Sequence, residues 1–447
     1  MVTCVLFSTL NGSMLWHILK YVVVWFFPVF FKRIRARNIH YLHTDAPIII
    51  AMNHPNSFAD PILLTWVCYP PVRPYYLARG DAFKPGLVTN LLQSIGIIPI
   101  FRIGDGGKEG LTKNNATYQL VNKLLAKGQK VIVFAEGLCV IERRLRPLKK
   151  GVSRMVFGAM EEIKRDDLLV VPIGVNYDAP TTFRSQVFFN VGEPIRVADF
   201  FDKEGNTARS QKLFLDELQV RMKALITHID NKENDRFVEQ IETLTKSAIM
   251  KERKWSENDL WLDFQTISQI TERVNNAEES SLQRAKRSTQ LYFECLEENN
   301  LTDEVMNPVK TSGITVNLIL RWLVVLIGTP FLLVGFIVNF WLMALTHRLA
   351  STLIKAREFY TSLVLALGSF MFSLYYLILF LSVKIWTDAP FTAFLFTGSV
   401  ALCGVVSLYL YPYLKKTVMC TKLLFNSQLR GRLGELRTIA INDINKF

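Results

Sequence analysis

Residues 316–414 are the part of this chain with the fewest ways to fold. Phe359–Val383 and Phe391–Leu414 are apolar runs long enough to cross a bilayer as helices. Val316–Leu345 is longer and contains Gly328-Thr329-Pro330, with Arg321 and Asn339 inside the run, so it reads as a hairpin or re-entrant pair broken at Gly328/Pro330. Arg348, Lys355 and Arg357 lie in the following loop, and Lys415, Lys416, Lys422, Arg430 and Arg432 lie in the tail. The positive-inside rule puts both basic segments on the cytoplasmic side. Two spans between them satisfy that rule, and a hairpin before them keeps the preceding polar region on the same face.

Half of the residues are hydrophobic, and the formal net charge is +13. With membrane segments present and no nucleic-acid module, that charge points to anionic lipid rather than nucleic acid. Cys4, Cys68, Cys139, Cys295, Cys403 and Cys420 are scattered, so neither a disulfide framework nor a zinc site is expected. Residues 14–31 are apolar but interrupted by His17, Lys20 and Pro28, and Lys32, Arg33, Arg35 and Arg37 follow. They either span or lie in the interface, and the interfacial anchor is preferred. No early positive charge or small-residue cleavage site marks a signal peptide.

The expected organisation is an anchor and basic linker (1–44), an α/β domain (45–200), a charged helical region (201–315), a membrane region (316–414) and a basic cytoplasmic tail (415–447). Within 45–200, apolar strands are expected at Pro47–Met52, Arg73–Ala78, Gly96–Phe101, Lys130–Phe134, Leu168–Asn176 and Gln186–Val191. Helices are expected between them at Asp60–Trp66, Leu87–Ile95, Asn115–Lys127 and Val152–Arg165. In 201–315, mixed-charge faces at helical spacing read as a solvated appendage, with a lid or partner surface as the sharper alternative.

Four stretches carry candidate chemistry. Asn53-His54-Pro55-Asn56-Ser57-Phe58-Ala59-Asp60 joins a strand to a helix, where α/β proteins place their sites. An aspartate on one imidazole nitrogen fixes the tautomer and makes the other nitrogen a better base for a hydroxyl proton. Gly96–Phe101 ends in Arg102, whose guanidinium suits a phosphate. The glycines that follow, Gly104 to Gly107, lack the Lys-Ser/Thr of a phosphate loop. Val131–Phe134 leads to Glu136 and Gly137, and then to the basic stretch holding Arg143, Arg146, Lys149 and Lys150. Those cations either bind phosphate or form a solvated face. Val170–Asn176 alone is a core strand.

In this order, these four stretches resemble the four blocks of the glycerolipid acyltransferases, the glycerol-3-phosphate and 1-acylglycerol-3-phosphate O-acyltransferases. The resemblance covers roughly residues 45–200 and implies an acyltransferase-type mixed α/β sheet flanked by helices. It implies His54 as general base, Asp60 as its orienter, Arg102 as a phosphate ligand, and Glu136 and Gly137 as acceptor-site residues; Asn53 is a further substrate-binding candidate, and Arg143, Arg146 or Lys149 are candidates to replace the arginine usual in the third block. Five residues separate His54 from Asp60, where four are usual; this resembles a minority branch that includes fungal-type glycerol-3-phosphate acyltransferases. Ala135 stands where the third block usually has proline, and Leu138-Cys139 stand where it has Thr-Arg.

The implied reaction is direct acyl transfer from acyl-CoA or acyl-carrier protein, as co-substrate, to a hydroxyl of glycerol 3-phosphate or lysophosphatidate. No metal or bound cofactor is implied. Other expected partners are membrane lipid, not nucleic acid. Localisation is expected in a membrane with the catalytic domain cytoplasmic, the bacterial inner membrane being preferred to the endoplasmic reticulum. Two alternatives stay open: an acyltransferase for another lysolipid, and an inactive lipid-binding protein. A transporter is disfavoured by the small number of spans.

Overall fold

The computed structural model describes residues 26–68, 74–80, 83, 86–101, 107–201, 207–256, 258–306, 314–354 and 356–447. They form two compact units: Met1–His228 with Ile354–Ala366, and Ile229–Leu353 with Leu367–Phe447.

The first unit is built on an eight-stranded mixed sheet of order β1-β7-β6-β2-β5-β3-β4, with β8 (Ile195–Arg196) pairing off β6. Its centre is β2 (Ile48–Met52), parallel to β5 (Lys130–Phe134) on one side and to β6 (Leu169–Tyr177) on the other. All five β2 residues are buried, as an unbroken apolar run at a sheet centre requires. β3 (Tyr75–Arg79) joins β5 and carries β4 (Ile97–Ile100) at one edge. β7 (Gln186–Val191) runs antiparallel to β6.

α2 (Ala59–Val67), α3 (Leu87–Ser94), α4 (Gly107–Ala126) and α5 (Lys150–Ile163) connect the strands. On α5, Val152, Met155, Val156 and Ala159 recur at helical spacing and join a core with Ile49, Val131, Val133 and Val170.

Two local structures of this unit differ from the sequence reading. Arg33–Arg37, expected as a basic linker, is strand β1, parallel to β7 at the sheet edge. Only one of its five residues, Ile34, is fully buried, so the strand carries almost no apolar signal. Residues 14–25 of the expected anchor lie outside the described residues. Residues 26–30 are helical (α1), with Phe27 buried against Trp66. α6 (Ala208–Ala224), expected in a solvated appendage, packs on the sheet through Phe214, Leu218 and Met222, each 0% exposed.

The second unit is helical. α7 (Asp235–Glu252), α8 (Leu260–Asn276), α9 (Glu279–Glu298) and α13 (Ser427–Ile444) share one core. Inside it, the Tyr292 hydroxyl donates to Asp303 Oδ1 at 2.5 Å, and Arg437 Nε donates to the same oxygen at 2.7 Å.

Among the described residues, three helices are long and apolar enough to cross a membrane: α10 (Ile314–Leu353), α11 (Arg357–Thr387) and α12 (Pro390–Phe425). The hairpin expected at Gly328/Pro330 is replaced by one continuous helix with Pro330 inside it. An apolar helix tolerates such residues when a neighbouring helix and side-chain hydroxyls support the backbone. Here Thr329 donates to the Val325 carbonyl one turn back, at 2.7 Å. Nearby, α12 lies so close that a Cβ on Gly335 would clash with the Cys403 carbonyl oxygen.

Asp303 is 4% exposed and its carboxylate depends on Tyr292 and Arg437. Asp303→Ala leaves the Arg437 charge unpaired, and denaturant unfolding of the helical unit is expected to lose about 3 kcal/mol. A loss under about 0.5 kcal/mol would show that water replaces the pair.

Candidate active site

β2, β5 and β6 are mutually parallel, so their carboxyl ends share one edge of the sheet. β2 delivers Asn53 and His54 to that edge, and β5 delivers Glu136 and Gly137. Asn53 extends the sheet with its side chain: Oδ1 accepts the Val175 N–H at 2.7 Å and Nδ2 donates to the Val175 carbonyl at 3.0 Å. Asn53 was expected among the substrate-binding residues. Its amide is instead occupied in holding the strand end, which keeps a buried polar group paired.

His54 Nδ1 lies 2.9 Å from Asp60 Oδ2. Asp60 is 0% exposed, and two further donors supply what burial takes away. The Asn56 N–H donates to Oδ2 at 2.8 Å, and the Tyr177 hydroxyl donates to Oδ1 at 2.7 Å. With Nδ1 committed to Asp60, Nε2 is the nitrogen left for chemistry. The imidazole stacks on Phe134, centroids 3.5 Å apart and planes 14° from parallel. One ring is thus held by a carboxylate and an aromatic face at once. Tyr177 escaped the sequence reading, which ended its strand at Asn176. A hydroxyl one residue beyond an apolar run gives no local sign of reaching a residue 117 positions away.

The five-residue spacer is accommodated by a compact turn. Ser57 takes φ 41, a left-handed conformation, and its N–H donates to Cys139 Sγ at 3.1 Å. Burial and the Asp60 charge push the Cys139 thiol up, which disfavours its thiolate.

Glu136 is buried, and burial pushes its carboxyl from 4.5 up to about 7; the Arg146 N–H, donated at 2.9 Å, opposes that shift. The Arg146 guanidinium is gripped by Glu142 through Nε at 3.2 Å and Nη2 at 2.8 Å. Arg143 Nη2 donates to the Asp178 carbonyl at 3.3 Å. Gly137 has φ 64, and a Cβ there would stand 3.0 Å from Lys149 Cγ. Thus Glu136, Gly137, Arg146 and Lys149 are neighbours at this edge. Arg102 lies outside the described residues.

These elements coincide with a family match: residues 33–176 match the family model "Acyltransferase". That segment holds His54, Asp60 and Glu136. Among individual proteins, glycerol-3-phosphate O-acyltransferase 1 of Saccharomyces cerevisiae is 34% identical over 83 residues, which is 19% of this chain and 11% of that protein. An uncharacterized acyltransferase of Schizosaccharomyces pombe is 31% identical over 80 residues, 18% of this chain and 12% of the other. The matched stretches thus span about a tenth of those relatives. The solved 1-acyl-sn-glycerophosphate acyltransferase of Thermotoga maritima aligns with a TM-score of 0.35 and 14% identity, over 48% of this chain and 79% of that one.

Two outcomes are expected. Tyr177→Phe removes one donor to Asp60 and should lower kcat about tenfold, a net cost near 1.4 kcal/mol; steady-state kinetics check it. For Glu136, the folded state holds the proton more tightly than the unfolded chain. Its contribution is full below pH 4.5 and is lost as pH rises through about 7, on the order of 3 kcal/mol in all. Glu136→Gln should flatten that fall in chemical-denaturation curves taken from pH 4 to 8.

Proposed function

We propose that this protein is a membrane-bound O-acyltransferase that moves a fatty acyl group to a hydroxyl of glycerol 3-phosphate or 1-acylglycerol 3-phosphate. The donor is acyl-CoA or acyl-carrier protein. The observation that carries this reading is the buried His54–Asp60 pair at the carboxyl edge of the sheet, within the segment that matches the acyltransferase family. His54 Nε2 removes the acceptor's proton as its oxygen attacks the thioester carbonyl. The leaving thiolate takes up a proton, and no enzyme ester is formed. Backbone N–H groups near the Asn53–Ser57 turn are proposed to stabilise the oxyanion. Arg102, Arg143 and Lys149 supply positive charge toward the acceptor's phosphate. The three long apolar helices support a location in a membrane, proposed to be the bacterial inner membrane or the endoplasmic reticulum.

A second reading keeps the chemistry and changes the acceptor. It rests on Arg146, whose guanidinium is bound by Glu142, leaving the third block with fewer cations for a phosphate. In that reading the acceptor is another lysolipid.

Purified membranes with labelled acyl-CoA or acyl-carrier protein and a panel of acceptors test both. Wild type should acylate glycerol 3-phosphate or its 1-acyl form, and His54→Ala should lower the rate about 10³-fold. Product confined to another lysolipid would select the second reading. No His54-dependent product with any acceptor would leave a lipid-binding protein.

A further inference from the structure

The first turn of α2 has no cap of its own. Its N-cap position is Phe58, which makes no side-chain cap bond; the Ala59 and Asp60 N–H groups donate to the Asn56 and Ser57 carbonyls at 3.0 and 3.2 Å. A further acceptor comes from a residue 303 positions along the chain. Ser362, in the part of α11 that belongs to the same compact unit, places Oγ 3.0 Å from the Ala59 N–H and 3.2 Å from the Asn56 carbonyl. One hydroxyl accepts at one end of the turn and donates at the other. Ala59 N–H also reaches the Asn56 carbonyl at 3.0 Å, so Ser362 closes a bond network that the turn only begins.

Its neighbour Thr361 is 0% exposed and donates to the Pro180 carbonyl at 2.8 Å. The Asn56 side chain donates to that same oxygen at 2.9 Å. Phe359 adds an edge contact to Phe58, centroids 6.2 Å apart. Ser362 and Phe359 contact the residues between His54 and Asp60 directly, and Thr361 reaches them through the Pro180 carbonyl it shares with Asn56. The Asn56 N–H is itself a donor to Asp60 Oδ2. A connected path therefore runs from Ser362 through the Asn56–Ala59 turn to the carboxylate that orients His54.

We infer that Ser362, supported by Thr361, is a positioning residue for the His54–Asp60 pair, holding from an apolar helix the turn that joins base to orienter. Neither hydroxyl reaches the His54 ring, so the role is exerted through the turn. This rests on the acyltransferase reading given above. A longer spacer has more freedom to lose, and an external clamp supplies the restraint.

The test uses the full chain in detergent or lipid vesicles, with wild type, His54→Ala, Ser362→Ala, Ser362→Thr, Thr361→Val and the exposed control Ser351→Ala. Ser362→Ala should lower kcat about tenfold while KM for both substrates stays within about twofold. Ser362→Thr, which keeps the hydroxyl, should recover most of that loss, and Ser351→Ala should match wild type. Thermal unfolding of each variant separates folded fraction from rate. Where Ser362→Ala does not accumulate as folded protein, Thr361→Val is read in its place for the same split. An unchanged kcat, a change confined to KM, or a loss equal to the loss of folded protein would overturn the positioning role alone. Absence of His54-dependent transfer in wild type would overturn the acyltransferase reading, and the positioning role with it.

Discussion

The site depends on one buried carboxylate. Asp60 sits at 0% exposure without a cationic side chain bonded to it among the described residues, held by the His54 ring, the Asn56 N–H and the Tyr177 hydroxyl. Such a group costs several kcal/mol to bury unless its lone pairs are filled. The three donors come from β2's end, the following turn and β6's end. Satisfying Asp60 therefore fixes the relative placement of two central strands and a turn. The same bonds fix which His54 nitrogen faces outward. Stability of the edge and orientation of the base are one requirement.

The rest of the edge works by a similar economy. Asn53 replaces a backbone ladder bond with two side-chain bonds to Val175, so the strand can end while its neighbour continues. Glu136 is kept near neutrality by burial and takes an N–H from Arg146, whose guanidinium turns to Glu142.

Much of this was legible in the sequence because the period and the apolar runs were strong. Lys130–Phe134 and Gln186–Val191 have the bounds expected of them, and Ile48–Met52 differs from its expected start by one residue. The His54–Asp60 contact was legible because the two residues share one turn. What was missed lacks a local signature. β1 is made of alternating arginines and owes its strand form to pairing with β7. α6 has a charged surface and buries only a narrow stripe through Phe214, Leu218 and Met222. Pro330 signalled a break, yet an apolar helix with α12 beside it absorbs a proline that a water-facing one would not. Tyr177 and Ser362 act across 117 and more than 300 residues, distances at which no spacing argument operates.

The central claim is that His54 and Asp60 act as one unit. A double-mutant cycle in kcat with His54→Gln, Asp60→Asn and the double variant tests it most directly. The account predicts that Asp60→Asn costs most of its effect only while His54 is present, so the double variant is no slower than His54→Gln within about threefold. Full additivity of the two losses would contradict it, since the carboxylate would then be acting on something other than the histidine.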